Sequence, residues 1–423
     1  MPVDVVIIDT TIEAVGAKIP NYGNVLVVGR EDGGSAADNV VMQLSNLADV
    51  ATYFGSATDV YKAAQRLFEQ GVKNAYFVRA TNTAVAAEAV TQGSVQTLAN
   101  TYVAGIPEPA IATFTFEYTN GVPTDPGANK AMLNPTTGQI WVSGAGSKNI
   151  DYYYTDWAAL VAVIKDEDIA IVVLAMSPMT YQFRADWEKL LDDYCDVHRV
   201  VAVAMGGWTG TETVTQIKDP FLEYTTRHLV GVAHQDQTND VAAAIAGVLS
   251  GVLPWDKLMW KQVTGLSPDG YFSKTDVGTF ETNAINALIW LKQGDRPSDG
   301  LTRGTGTDYK FVDIVRTQYY LEDLISDRLT DLIRTTHVPY TPSGIETVGM
   351  KIAEACETAV SAGALRIPYI EGDDWFKGYE IDLPEFADIP TADKTNRELK
   401  NVFITAKLRG HIQTIYINMT IQI

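Results

Sequence analysis

NYGNVLVVG (21–29) and TDVYKAAQRLFEQGVKNAYFVRA (58–80) read in order as strand, helix and strand. In the first, Val25 to Val28 form an apolar run that is short, Val-rich and closed by Gly29, the mark of a buried strand. In the second, Val60, Ala63, Ala64, Leu67 and Phe68 recur at helical spacing. Thr58 or Asp59 is placed to cap the start and Gly71 to stop the end. AYFVR (75–79) then resumes as a strand, and VDVVIID (3–9) precedes the whole as another. The opening is an α/β unit.

Beyond it the pattern changes. From about 86 to 150, TYVAGIPEPAIATFTFEYT alternates apolar and polar through Ile111, Phe114 and Phe116, and GQIWVSG adds a short strand. This portion is expected to be β-rich and inserted. From 151 to about 262, WAALVAVIK, DWEKLLDDYC and VAAAIAGVLS read as helices, while IAIVVLAM, RVVAVAM and HLVGVAH read as strands apolar on both faces. Strands of that kind belong to a largely parallel sheet covered by helices.

In the last third, TFETNAINALIWLKQG (279–294) is expected as a strand or short helix leading into a turn. Residues 310–334 form a long amphipathic helix with Ile314, Leu321, Leu324, Ile325, Leu332 and Ile333 on its apolar face. Asp323, Asp327 and Asp331 make an i,i+4 acidic row assigned to the wet side. A second helix spans PSGIETVGMKIAEACETAVSAG (342–363), with Ser343 and Glu346 at capping-box spacing and Gly363 as the stop. A polar stretch, 371–395, follows, and NVFITAKLRG and HIQTIYINMTIQI (411–423) close as two strands.

The 423 residues and 46% hydrophobic content can bury more than one core, so two to four domains are expected. With 52 acidic against 32 basic residues, the net charge of −20 argues against nucleic acid and against an anionic membrane surface. Cys195 and Cys356 lie in apolar periodic segments and read as buried thiols of a reducing compartment. No basic, apolar leader and no continuous apolar span is present, which leads us to expect a soluble chain made in the cytoplasm and no stable membrane insertion.

The motifs of chemistry are missing. VLVVGREDGGSA has neither GxGxxG nor a P-loop lysine, so Gly29, Gly33 and Gly34 read as turn glycines. The histidines, His198, His228, His234, His337 and His411, make no metal spacing. Cys195 and His198 are three apart, but no orienting acid or amide is evident and a structural role is favoured. The basic residues are dispersed, and Lys407 with Arg409 is too small a cluster for a nucleic-acid footprint. No cofactor, metal or catalytic residue is assigned, and no enzymatic activity is expected. An α/β enzyme or cofactor-binding protein with a divergent site stays open as the alternative.

In HIQTIYINMTIQI the apolar Ile415, Ile417, Met419, Ile421 and Ile423 alternate without a break against Thr414, Tyr416, Asn418, Thr420 and Gln422. One reading makes this strand the last edge of its own sheet. The other lets it complete a neighbour's sheet, where ladder hydrogen bonds give affinity and alternate side chains give register.

The order of parts resembles contractile phage tail sheath proteins. The resemblance rests on NYGNVLVVG, YFG (53–55) and TDVYKAAQRLFEQGVKNAYFVRA at the front. At the back it rests on NAINALIWLKQGD, GLTRGTG (300–306), IVRTQYYLEDLISDRL and KLRGHIQTIYINMTIQI. It covers roughly 1–80 and 280–423 and leaves the middle unassigned. It implies a multidomain mixed α/β fold: a discontinuous sheath domain built from the N- and C-terminal regions (1–85 and 280–423), a β-rich insertion (86–150) and a central α/β domain (151–279). It further implies a structural subunit of a phage, an archaeal virus or a contractile injection device, with another virion structural protein as the alternative beside it. Such a subunit polymerises in rings or a helix around a tail tube and contracts to drive that tube through the host envelope. Implied partners are further copies, the tube protein, and baseplate and tail terminator proteins, with no direct nucleic acid; the implied location is a virion tail assembled in the host cytoplasm. Carried onto this chain, the linking arms are Val3 to Ile8, with Val3, Val5 and Ile7, and Thr414 to Ile423, with Ile415, Ile417, Met419, Ile421 and Ile423. The tube-facing element is the helix from Phe311 to Arg334.

Overall fold

The computed structural model describes residues 5–6, 22–30, 33–99, 115–207, 211–234, 239–259, 261–266, 272–291, 294–298, 300–302, 311–371 and 374–410. The chain divides into two units. One is discontinuous, taking Met1–Pro20, Pro254–Lys257 and Asp313–Ile423; the other holds Asn21–Leu253 and Leu258–Val312. The fold class is the mixed, multidomain α/β arrangement that the residue pattern implies.

The first strand, β1 (Val5–Val6), belongs to the discontinuous unit. The larger unit opens with β2 (Val25–Gly29), β3 (Met42–Leu44), α1 (Leu47–Phe54), α2 (Asp59–Glu69) and β4 (Ala75–Arg79). Thr58 caps α2: its hydroxyl accepts from Tyr61 N–H and donates to the Gly55 carbonyl at 2.8 Å. Gly29 is not a turn glycine. Gly29 ends a strand where a Cβ would lie 2.0 Å from Val60 Cγ2, and Gly33 and Gly34 run against the backbone of Tyr53 and Phe54, so close packing requires them.

A β-rich insertion follows. The long strands β5 (Asn82–Thr91) and β10 (Ser147–Thr155) form an antiparallel ribbon that leads out and back. Between them β6 (Val95–Thr97), β7 (Thr115–Tyr118), β8 (Lys130–Asn134) and β9 (Gln139–Val142) make a sheet of order β6-β9-β8-β7. Leu133, Ile140, Val142, Ile150 and Tyr152 fill its own small core, and the Tyr152 hydroxyl donates to Glu88 at 2.6 Å. Ile111 and Phe114 lie outside the described residues.

The chain returns through α3 (Trp157–Ile164), β11 (Ile171–Leu174), α4 (Arg184–Lys189), a π-helical turn at Leu190–Cys195, α5 (Asp196–His198), β12 (Val201–Gly206), α6 (Val214–Leu222), β13 (Leu229–Ala233), α7 (Val241–Ser250), α8 (Lys274–Thr282), β14 (Ile285–Leu291) and β15 (Gly294–Pro297). The stretch left open as strand or short helix is thus both: α8 ends at Thr282 with Asn283 as its cap, and Ala284, with φ 55°, turns the chain into β14.

The principal sheet has eight strands in the order β15-β14-β13-β12-β11-β2-β4-β3, parallel from β14 to β4 with antiparallel strands at both edges. Every residue of β2, β11, β12 and β13 is buried, as strands covered on both faces must be. Leu26, Val28, Val172, Leu174, Ala202 and Ala204 face a core with Trp157, Trp187, Phe221 and Phe280. On the opposite face lie α2 and α7. Gly247 of α7 lets these two helices approach: a Cβ there would meet the Gln70 Cγ at 2.8 Å and the Leu67 carbonyl at 3.1 Å.

The discontinuous unit continues with α9 (Val312–Thr335), α10 (Pro342–Ala362), β16 (Tyr369–Glu371), β17 (Asp374–Phe376), β18 (Tyr379–Asp382), α11 (Thr391–Asn396) and β19 (Phe403–Ala406). The cap of α10 is Thr341 rather than Ser343, with Pro342 taking the first helical position, where a missing N–H costs nothing. Gly363 ends the helix at φ 88°, as its position in the sequence indicates.

Candidate assembly site

The discontinuous unit is built on α9, α10 and a three-stranded antiparallel sheet of order β1-β19-β18. Ile352, Ala355, Cys356 and Ala359 of α10 recur at helical spacing and pack with Leu321 and Ile325 of α9. Ile404 and Ala406, the inward positions of β19, seal this core from the sheet side. On one edge of β19, Ile381 lies opposite Ile404 and Tyr379 opposite Ala406. On the other, Val5 lies opposite Thr405 and Val6 opposite Ile404.

The segment proposed from the sequence as an N-terminal arm therefore contributes a two-residue ladder to this sheet. Val3 and Ile7 lie outside the described residues, as do Ile415, Ile417, Met419, Ile421 and Ile423. Among the described residues no strand pairs with the outer edge of β18. Glu380 and Asp382 stand on that strand, and charges of this kind discourage indiscriminate pairing.

Helix α9 starts one residue later than the proposed tube-facing segment and ends one later. Val312, Val315, Tyr319, Leu321, Ile325 and Leu332 are its buried apolar positions. Ile314 is only half-buried and Ile333 is 56% exposed, because the helix buries a different arc near each end than a single apolar stripe would give. Arg316 and Glu322 are buried with it, and burial pushes the Arg316 guanidinium down to about 10, against the pull of Asp256 and Asp313. Of the acidic row, Asp331 is exposed and Asp323 and Asp327 are half-buried; burial raises Asp327 above its ordinary value. A groove of about 580 Å³ lies where α9 ends and α10 begins, between Ile333, His337, Tyr340, Ile345, Val348 and Arg397.

The strand order supplies a second place to look for chemistry. From β2 the chain winds one way to β4, and from β11 it winds the other way to β12, β13 and β14, so the switch lies between β2 and β11. Open α/β sheets bind ligands in the crevice beyond the strand ends at such a point. Here protein side chains fill it. Arg30 pairs with Asp186, donates to Ser177 Oγ at 2.9 Å and stacks 4.7 Å above the Phe183 ring, while Trp157 Nε1 donates to Asp186 at 2.9 Å. Asp240, capping α7, accepts from Met176 N–H at 2.7 Å and Ala243 N–H at 2.8 Å.

The cysteines are buried, and burial raises both thiols, Cys356 to about 12, so neither is a ready thiolate. His198 packs its ring 5.1 Å from that of Tyr194, and burial lowers its pKa. Among the described residues, no group of three or more His, Cys, Asp or Glu side chains could hold a metal ion, and no helix is long and apolar enough to cross a membrane.

No family model and no curated protein sequence matches the chain. Solved structures do. A chain of the anti-feeding prophage helical sheath, in its contracted state, matches with a TM-score of 0.63 over 98% of both chains at 12% identity. The fold is that of a contractile sheath protein. A chain of the PVC sheath complex, from an extracellular contractile injection system in the contracted state, gives 0.62 over 100% of this chain and 98% of that one, again at 12% identity. One in the six-fold symmetrised anti-feeding prophage baseplate gives 0.62 over 99% of both, at 12%. The sheath-like fold thus extends beyond the two end regions that carried the resemblance in sequence, and takes in the middle of the chain.

Proposed function

We propose that this chain is a non-enzymatic subunit of a contractile sheath, which polymerises as rings or a helix around a tail tube and contracts to drive the tube through a host envelope. The carrying observation is the match, over nearly its full length, to sheath chains in the contracted state. The subunit sheet fits this reading. A ladder as short as β1 on β19 is exchanged between copies at little cost, and the edge of β18 that carries no strand among the described residues can accept one from a neighbour. The donors are the arm from Val3 to Ile8 and the arm from Thr414 to Ile423, whose Ile415, Ile417, Met419, Ile421 and Ile423 seat in the receiving sheet.

Such strand links hold while the bodies rotate, so contraction is a rigid-body change between two packings of one polymer. Helix α9 faces the tube, the outer partners are baseplate and terminator proteins, and the assembly forms in the host cytoplasm as the tail of a virion or of an injection device. Negative-stain microscopy of the purified chain tests the reading. Striated tubes or stacked rings are expected; compact discrete particles at high concentration would overturn it in favour of the enzyme-like alternative.

A further inference from the structure

The β-rich insertion has a core of its own, and among the described residues it shares no apolar side chain with the core of the principal sheet. Two strands join them. The ribbon of β5 and β10 is fixed at its root, where Asn82 Nδ2 donates to the Arg30 carbonyl at 2.8 Å and Thr155 Oγ1 donates to Asn82 Oδ1 at 3.0 Å. Further out, Tyr152 lies opposite Val85 and Ile150 opposite Glu88, so Ala86 and Ala87 face Asp151 alone. A bulge of this kind bends a ribbon and increases its twist. Ala87 takes φ 57° there, and its N–H donates to Asp151 Oδ1 at 2.6 Å.

Beyond the bulge the insertion meets α4 and the end of α6 through polar side chains. Thr136 Oγ1 donates to Glu188 Oε2 at 3.0 Å, and Asn120 Nδ2 donates to Glu223 Oε1. Between the two glutamates stands Arg184, 3.8 Å from Glu188 Oε2 and 3.2 Å from Glu223 Oε2. Arg184 opens α4 with Glu188 one turn along the same face, and Glu223 caps the end of α6. The Tyr224 hydroxyl, at the edge of the principal core, donates to the Arg184 carbonyl at 3.0 Å and sets where this residue stands. Arg184 Nε and Nη1 are buried and make no hydrogen bond to a described residue. The guanidinium therefore holds both carboxylates by charge and leaves their lone pairs to Thr136 and Asn120. Buried N–H groups without an acceptor destabilise the closed arrangement, and water would satisfy them on opening.

A body with its own core, carried on a bulged two-strand ribbon and closed by hydrogen bonds to carboxylates, has the parts of a latch. We propose that Arg184, Glu188 and Glu223 form a latch for Asn120 and Thr136, and that its opening lets the insertion swing on the ribbon while both cores stay packed. Charge-assisted hydrogen bonds are directional and are replaced by water when broken, so a contact made of them opens without exposing apolar surface. The device belongs to the single chain and does not depend on the sheath reading. In a polymer with two packings it gives each subunit a second position for its insertion.

Spin labels test this in the full chain, at Val122→Cys in the insertion and Val197→Cys on α5, both exposed positions, while the native Cys195 and Cys356 are buried. Labelled chains are diluted in unlabelled ones, so the distances are those within one chain whether or not tubes form. In the parent, pulsed electron paramagnetic resonance should give one dominant distance. Asn120→Ala with Thr136→Ala, which leaves every charge of the latch in place, should raise the share of a second distance about tenfold, the loss of about 1.4 kcal/mol of hydrogen bonding, with unchanged circular dichroism. Arg184→Gln should do the same, because two glutamates without their cation repel, whereas Arg184→Lys keeps the charge and should stay closed. A distribution unchanged by the double alanine variant overturns the latch, since other contacts then hold the insertion. A parent distribution already as broad as that of the variant overturns it as well. Should Arg184→Gln fail to fold, the double alanine variant decides alone.

Discussion

Arg30 closes on Asp186 at the point where the strand order of the principal sheet reverses. In an enzyme of this architecture that crevice is kept open for a ligand; here an ion pair, Ser177, Phe183 and Trp157 occupy it. Asp186 is 1% exposed, and its partners satisfy it from several sides. Removing one member of such a pair leaves the other charge buried without compensation. Asp186→Ala should therefore lower the unfolding free energy by about 3–5 kcal/mol, measured by urea denaturation. A variant of unchanged stability would mean that the crevice is wetter than the packing shows.

Gly247 offers a contest between two effects of known size. Replacing a helical glycine by alanine gains about 1 kcal/mol of helix propensity, whereas forcing atoms into a packed contact costs about 1–3 kcal/mol. The contact wins, because a Cβ at 247 would meet the first two carbons of the Gln70 side chain, and that side chain is held by bonds to Thr264 in both directions. Gly247→Ala should lose about 1 kcal/mol net, and Gly247→Val more. Thermal melts of the two variants check the order.

Much of this sheet was legible in the sequence because β2, β11, β12 and β13 are buried on both faces and so are written as unbroken apolar runs. The α2 and α10 boundaries were legible for a local reason, a hydroxyl at the start and glycine after the end. The hairpin β16–β17 was not. Each strand has only three residues, too few for alternation to show, and the acidic residues of this stretch of sequence made it read as polar. Nor could the approach of Arg366 to Lys407 be seen, since the Arg366 N–H reaches the Lys407 carbonyl only through tertiary pairing. The close packing of the glycines was hidden for the same reason: Gly29 answers to Val60, and Gly33 and Gly34 to residues 53–54, across the fold rather than along the chain.

Asp240 carries the clearest pH dependence. Full burial raises its pKa from 3.8 to about 6, more than the backbone N–H groups of Met176 and Ala243 lower it. The folded state therefore holds this proton more tightly than the unfolded chain. The resulting stabilisation is complete below about pH 4, the ordinary carboxylate value, and is lost as pH rises through about 6. Relative to Asp240→Asn, the wild-type chain should lose up to about 3 kcal/mol between those limits, from roughly two pK units. Paired urea titrations across the window check the sign: a difference that grows with pH would show that the carboxylate is instead stabilised as the anion.

The last prediction concerns the arms. Ile404, in the middle strand, has Val6 on one side and Ile381 on the other, and among the described residues the sheet ends at β18 on one edge and at the two-residue β1 on the other. If Thr414 to Ile423 of a neighbour joins such an edge, its alternate isoleucines must enter apolar surroundings while Glu380 and Asp382 select against wrong strands. Ile417→Asp with Ile421→Asp would bring carboxylates to positions that need to be apolar, and beside those acids. The double variant should keep the far-ultraviolet circular dichroism and melting temperature of the parent chain yet fail to form tubes. Ile404→Asp, by contrast, should lower the melting temperature itself, because that side chain belongs to the subunit's own core. Tubes of the Ile417/Ile421 variant at the parental yield would remove the C-terminal arm from the linkage and leave β1 to carry it.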